Sequence, residues 1–282
     1  MKLKKKLAVV GMCLALCFGV IACGKASEAI NVISREQGSG TRAAFTEITG
    51  ILEKKDGKEV DNTSKEAAVQ NSTEAVITAV ANDKDAIGYI SLGSLNDTVK
   101  AVKVDGVEAT PENITNGTYK IARPFLIVYK EDKLNDASKD FMKFIESDEG
   151  QKIVADEGYV PEIKNINYTP ANITANLTIA GSTSVTPLME KLVEGYKKYN
   201  PGFNADIQAT GSSAGITAVQ DGACDLGMSS RELKDSEKDL QKDVIAKDGV
   251  AVIVNKDNKV DNLTLENIKD IFTGKVTNWD EV

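Results

Sequence analysis

The chain has 282 residues, with 34 lysines and arginines against 42 aspartates and glutamates, 41% hydrophobic residues and 5% aromatic ones. That acidic balance argues against nucleic acid as a partner, and an anion site has to be built locally against long-range repulsion. The absence of histidine excludes a histidine-activated nucleophile and argues against zinc, so neither a metal nor a cofactor is expected.

At the start, Lys2, Lys4, Lys5 and Lys6 precede an apolar stretch at residues 7–22, too short to span a bilayer securely and patterned like a secretory signal. It ends in Val20-Ile21-Ala22-Cys23, which resembles a bacterial lipobox: aliphatic, small, then a cysteine that is diacylated and becomes the new N-terminus. The alternative is an ordinary signal peptide with a chance cysteine. On the lipobox reading residues 1–22 leave, Cys23 carries lipid, and residues 23–29 tether the protein to the extracytoplasmic face of the cell membrane. The remaining chain carries 30 basic and 42 acidic residues, a net charge of −12, and Cys224 as its one other thiol, which rules out a disulfide framework within one chain. Its length suits one large or two small domains.

Beyond residue 30, short apolar runs alternate with helical periods, the pattern of α/β architecture. In chain order the strand candidates are Ile30–Ser34, Ile87–Leu92, Pro124–Tyr129, Leu177–Ala180, Ala205–Ala209 and Val250–Asn255. Helical spacing is clearest at Phe141, Phe144 and Ile145, then at Leu188, Leu192, Tyr196 and Tyr199 with Pro187 in the first turn, and at Leu265, Ile268 and Phe272 with Gly274 as the stop. Residues 53–72 are charged and rich in serine, threonine and asparagine and read as loose; Glu162–Asn176 reads as a connector.

Four segments put glycine and hydroxyls where a strand should end. They are Ser34-Arg35-Glu36-Gln37-Gly38-Ser39-Gly40-Thr41-Arg42, Gly181-Ser182-Thr183-Ser184-Val185-Thr186-Pro187, Thr210-Gly211-Ser212-Ser213-Ala214-Gly215 and Gly227-Met228-Ser229-Ser230-Arg231. At least three precede a helical period. A helix start offers unpaired N–H groups and a partial positive charge, so it suits an oxyanion, and serine or threonine adds neutral donors. Each segment alone is weak, since a serine or threonine before a helix is more often a plain N-cap. Four together, with arginine in the first and the last, point to an anion site.

Those segments, with Ile271-Phe272-Thr273-Gly274-Lys275-Val276-Thr277-Asn278-Trp279, resemble the phosphate-binding proteins of bacterial phosphate ABC importers, which have the type II periplasmic-binding-protein fold. The resemblance covers about Ile30 to Val282. It implies two α/β lobes closing on one inorganic phosphate, a monomer delivering it to the membrane permease subunits, and no enzymatic activity. It also implies site residues: Thr183, Ser184 and the Val185 backbone in one loop, Ser212 as a hydroxyl donor, Arg35 as the charged clamp, and Ser39, Gly40 and Thr41 as donors of the second lobe. At Ser230 family members often carry an aspartate that accepts the proton of hydrogen phosphate and repels sulfate. Serine there leaves sulfate, molybdate or another tetrahedral oxyanion open as cargo, as well as a non-transporting surface lipoprotein.

The segment order departs from the family. The Gly181 and Ser212 segments normally open the chain, and the Arg35 segment normally follows Trp279. This implies a circular permutation, with lobe one at about 107–248 and lobe two at 28–106 plus 249–282. An incomplete frame or a swapped dimer is the alternative. A permutant requires Val282 to lie near the residues just before Ile30.

Overall fold

A computed structural model describes residues 29–55 and 57–282; the signal stretch and Cys23 lie outside the described residues. The chain runs through β1 (Asn31–Arg35), α1 (Gly40–Ile48), a hairpin of β2 (Leu52–Lys55) and β3 (Lys58–Asp61), β4 (Ala68–Gln70), α2 (Thr73–Ala81) and β5 (Ala86–Ser91). Next come β6 (Val99–Ala101), β7 (Lys103–Val104), α3 (Pro111–Thr115), β8 (Ala122–Tyr129), α4 (Asp136–Glu146), α5 (Asp148–Asp156) and β9 (Val160–Pro161). The rest is β10 (Ala175–Gly181), α6 (Thr186–Tyr199), β11 (Phe203–Gln208), α7 (Ser212–Asp221), β12 (Leu226–Ser229), β13 (Gln241–Asn255), β14 (Asn262–Leu263) and α8 (Leu265–Thr273).

Two half-sheets share the long strand β13. In one, β11, β10 and β12 run parallel and β8 lies antiparallel beside β12. In the other, β4, β1 and β5 run parallel and the end of β13 lies antiparallel beside β5. The halves are therefore two lobes of one design, and β8 and β13 pass between them side by side, paired from Tyr129–Gln241 to Ala122–Gly249.

Both faces of each half-sheet are covered, which is why its inner strands read as apolar runs. Strand periodicity then divides the side chains between faces. On β8, Phe125, Ile127 and Tyr129 pack with Phe141, Phe144, Leu188, Leu192 and Tyr196 from α4 and α6, while Leu126 and Val128 pack with Ile216 and Val219 of α7. On β5, Ile87 and Tyr89 meet Phe45, Ile268 and Phe272, while Ala86 and Ile90 meet Val76, Ile77 and Val80 of α2. Gly274 ends α8 at φ +78°, the left-handed cap that glycine adopts without strain.

Four details differ from the sequence reading. The stretch at 53–72 holds the charged hairpin β2–β3 and the three-residue edge strand β4, each too short to leave an apolar signature. Strand β13 begins at Gln241, well before Val250, because its first part is polar and half exposed. Tyr199 ends the α6 stripe at 39% exposure instead of joining the core. The chain turns back at Gly106, where Val104 and Val107 pair, so Ile114, Tyr119 and Ile121 pack into the core of the β1–β5 lobe; that lobe continues past residue 107 to about β8.

Two long-range closures bear on chain order. Ala29 forms an antiparallel bridge with Asn278, and the Ile30 N–H donates to the Thr277 carbonyl at 2.8 Å. Residues 162–174 have no regular structure, yet the Tyr168 hydroxyl donates to Asp140 at 2.6 Å and accepts from Asn200 at 2.7 Å.

Candidate functional site

Parallel strands bring their C-terminal ends to one edge, so Arg35 (end of β1), Gly181 (end of β10) and Ser229 (end of β12) meet where the lobes face each other. Arg35 is buried at 2% exposure. Its backbone is fixed on both sides: the N–H donates to the Tyr89 hydroxyl at 3.1 Å, and Arg42 donates to its carbonyl at 2.6 Å. Arg42 is held in turn by Asp61 at 2.8 Å. Burial works to raise the Asp61 carboxyl, but hydrogen bonds from Thr63 and Arg42 outweigh it and hold it below its ordinary range.

The Arg35 guanidinium forks onto Glu36 at 2.7 and 2.8 Å and reaches across the lobes to Thr183 Oγ1 at 3.0 Å. Around it stands a ring of buried hydroxyls from both lobes. Thr41 Oγ1 lies 2.8 Å from Ser184 Oγ, and Thr73 Oγ1 lies 3.1 Å from the same atom. Ser230 donates its N–H to Ser212 Oγ at 3.1 Å, and Ser182 donates to Ser230 Oγ at 2.9 Å. The oxygens of Ser212 and Ser230 thus each receive a hydrogen from the protein and lie 3.3 Å from each other, so one hydroxyl hydrogen can bridge the pair while the other points to an anion. Across the cleft the Ser213 N–H donates to the Gly38 carbonyl at 3.1 Å.

Four helices start here, with Thr73 the first residue of α2. Ser39 caps α1 by accepting the Arg42 N–H at 3.3 Å, which leaves the Gly40 and Thr41 N–H groups as first-turn donors. Ser212 opens α7, and Ser184 precedes α6. The Val185 N–H is already taken by the Ser182 carbonyl at 3.1 Å, and its side chain sits in the lobe core. All nine residues singled out in the sequence therefore fall in one region, with Val185 the one turned inward.

Sequence reasoning missed Thr73 and Tyr89, and within the Gly181–Pro187 segment it did not single out Ser182. Thr73 carries the same signature as the four segments, a hydroxyl pair (Ser72-Thr73) before Val76, Ile77 and Val80, but it adjoins the stretch read as loose. Tyr89 carries no local signal, since its role depends on β1 and β5 lying side by side.

Two α/β lobes joined by a pair of crossing strands, with helix starts converging between them, define a binding-protein fold. The chain matches the PBP superfamily domain over residues 21–149 and 167–282 and belongs to that superfamily. It is 48% identical, over 292 aligned positions covering all of both chains, to the phosphate-binding protein PstS 2 of Streptococcus pneumoniae serotype 4. The crystal structure of a phosphate-binding protein of a phosphate ABC transporter from Streptococcus pneumoniae TIGR4 superposes with a TM-score of 0.72 at 50% identity, covering 90% of this chain and 99% of that one. The phosphate-binding protein PstS of Staphylococcus saprophyticus is 38% identical over 111 residues, 36% of this chain and 35% of its own.

Proposed function

We propose that this protein captures inorganic phosphate between its two lobes and delivers it to the permease subunits of an ABC-type phosphate importer. The observation that carries the reading is the convergence of hydroxyls and helix starts from both lobes on the buried Arg35. A tetrahedral oxyanion needs many donors in a small volume and little net positive charge, and dipolar donors plus one arginine already partnered by Glu36 supply that. The relatives at 48% and 50% identity are named as phosphate-binding proteins, which supports the choice of ion. Arg35, Ser39, Gly40, Thr41, Thr183, Ser184, Ser212 and Ser230 are the proposed contacts, with Thr73 added to them. The reading is of a monomeric carrier and not a catalyst.

Isothermal titration of the purified protein with phosphate, then with sulfate and molybdate, tests it; one site per chain for phosphate is expected. Binding of sulfate or molybdate with no response to phosphate would reassign the cargo. That second reading is favoured by Ser230, which repels a fully ionised anion less than a carboxylate would.

The N-terminal signal and Cys23 support a lipid-anchored protein on the outer face of the cell membrane. Among the described residues no helix is long and apolar enough to cross a membrane. Cys23→Ala is expected to release the protein from the membrane fraction with its phosphate affinity unchanged, and membrane-bound, lipidated Cys23→Ala would refute the anchor.

We further infer a circular permutation. A collinear alignment of a permuted pair can keep only one block in register, which accounts for the match to about a third of the staphylococcal protein beside the whole-length match to PstS 2. The pairing of Ala29 with Asn278 supports it too, since it joins the two chain regions that the family runs together.

A further inference from the structure

The strands that cross between the lobes carry a buried ion pair that none of the site assignments above uses. Arg123 on β8 and Asp248 on β13 face each other in register, with side chains 2% and 0% exposed. Two guanidinium nitrogens, Nε and Nη2, donate to Asp248 Oδ2 at 3.2 and 3.0 Å. The third, Nη1, lies 3.3 Å from the Ser230 carbonyl, in the anion ring of lobe one. The other carboxylate oxygen accepts from the Ser91 hydroxyl at 2.9 Å and from the Leu92 N–H at 3.1 Å, at the end of β5 in lobe two.

The position on β13 matters. Asp248 still pairs with β8, and Val250, two residues on, already pairs with Ser91 of β5. The pair therefore sits where β13 changes lobes, and every bend of one lobe on the other must pass through it. Burial pushes the Asp248 carboxyl up and the Arg123 guanidinium down, and mutual attraction together with the Ser91 and Leu92 donors opposes this. Such a pair adds little to stability over an apolar filling of the same space, so its presence calls for a geometric role.

We propose that Arg123 and Asp248 form a hinge clasp: a pair of positioning residues that favours the closed lobes by linking the Ser230 carbonyl to Ser91 and Leu92. In this arrangement the chain Ser230–Arg123–Asp248–Ser91 runs unbroken from one lobe to the other, and on this proposal opening the lobes breaks it. Each bond in it stabilises closure, and closure sets what fraction of the protein is ready to hold an anion. Arginine is needed because its fork serves the carboxylate and the carbonyl together, which a single ammonium does not do in the same plane.

Nitroxide labels at Lys65→Cys and Lys238→Cys, both exposed and on opposite lobes, in a Cys224→Ser background, read the distance between lobes. Arg123→Lys keeps the charge balance, and the double variant Arg123→Gln/Asp248→Asn avoids an uncompensated buried charge should the single variant fail to fold. Either is expected to shift the ligand-free distances outward. On the phosphate reading, either also raises the phosphate Kd about tenfold, through the smaller closed population. A folded variant with the parent's distances would overturn the clasp, even if its melting temperature fell. If the parent itself does not bind phosphate, the cargo assignment fails, while the ligand-free distances still decide for or against the clasp.

Discussion

Gly40 and Ser212, from opposite lobes, approach so closely that a Cβ on Gly40 would stand 2.3 Å from Ser212 Oγ and 2.5 Å from Ser230 Oγ. No side chain fits there while the lobes are together. Gly40→Ala is therefore expected to wedge the cleft open, at a cost of about 1–3 kcal/mol in phosphate affinity, the range for overpacking a well-filled site. Calorimetry measures it. Affinity equal to the parent's would mean that this approach is not part of the bound state.

Arg35→Ala is expected to weaken phosphate binding by about 2–5 kcal/mol, since it removes one member of a buried charged contact and leaves the other unpaired. Ser212→Ala removes one neutral donor and is expected to cost less, about 1–3 kcal/mol. The order of the two effects is the test. If Ser212→Ala costs more than Arg35→Ala, then Arg35 serves Glu36 and the fold more than the ligand.

Ser230→Asp places a carboxylate on the ring opposite Arg35's lobe. A proton on the ligand can be shared with it, whereas an unprotonated dianion is repelled. The variant is expected to lose sulfate binding at least tenfold relative to phosphate, measured by competition dialysis. An unchanged sulfate-to-phosphate ratio would show that selectivity is decided elsewhere in the ring.

Most of this site was legible in the sequence because helix starts announce themselves locally. A hydroxyl and a glycine before an apolar period mark Ser39–Thr41, Ser184 and Ser212 whatever the rest of the chain does. Contacts made by strand neighbours were not legible. Tyr89 orients Arg35 only because β5 lies beside β1, and Arg123 meets Asp248 only because β8 pairs with β13 across more than a hundred residues. The same division holds for the fold. Strands buried on both faces appeared as apolar runs, while β2, β3 and the first part of β13 are half exposed and left no run to read.

Acid is expected to loosen the first lobe beside the site through Glu237. Burial acts to raise this carboxyl, but hydrogen bonds from Arg231 and from the Lys234 N–H outweigh it and hold it below the ordinary glutamate value of 4.5. A group lowered in the folded state stabilises fully above its unfolded value and loses that contribution as pH falls through the folded one. Melting temperature should therefore drop below about pH 4.5, and less steeply in Glu237→Gln. Arg231 also donates to Ser213 at 3.1 Å, so phosphate affinity should fall over the same interval. Parallel pH profiles for parent and Glu237→Gln would remove Glu237 from the account.

The permutation can be tested by undoing it. Asn278 and Ala29 already pair, so a short glycine–serine linker from Val282 to Ala29 closes the chain without moving either lobe. New termini belong between Pro170 and Ala171, which are exposed and lie in the segment without regular structure. The cut leaves Tyr168 joined through the chain to α5, with its hydroxyl still on Asp140 of α4, and leaves Ile173 with Asn200, to which its N–H donates at 2.9 Å. Every contact of the ring is retained, because none of its residues lies between 162 and 174. The rearranged chain is expected to fold, to melt within a few degrees of the parent and to bind phosphate within about threefold of it, a difference of less than 1 kcal/mol. Adding Tyr168→Phe should then lower stability by about 1.5–3 kcal/mol, the range for a hydrogen bond to a charged group, and leave affinity alone. A rearranged chain that is unfolded, or that binds only as a dimer, would mean that the present order is required for the fold.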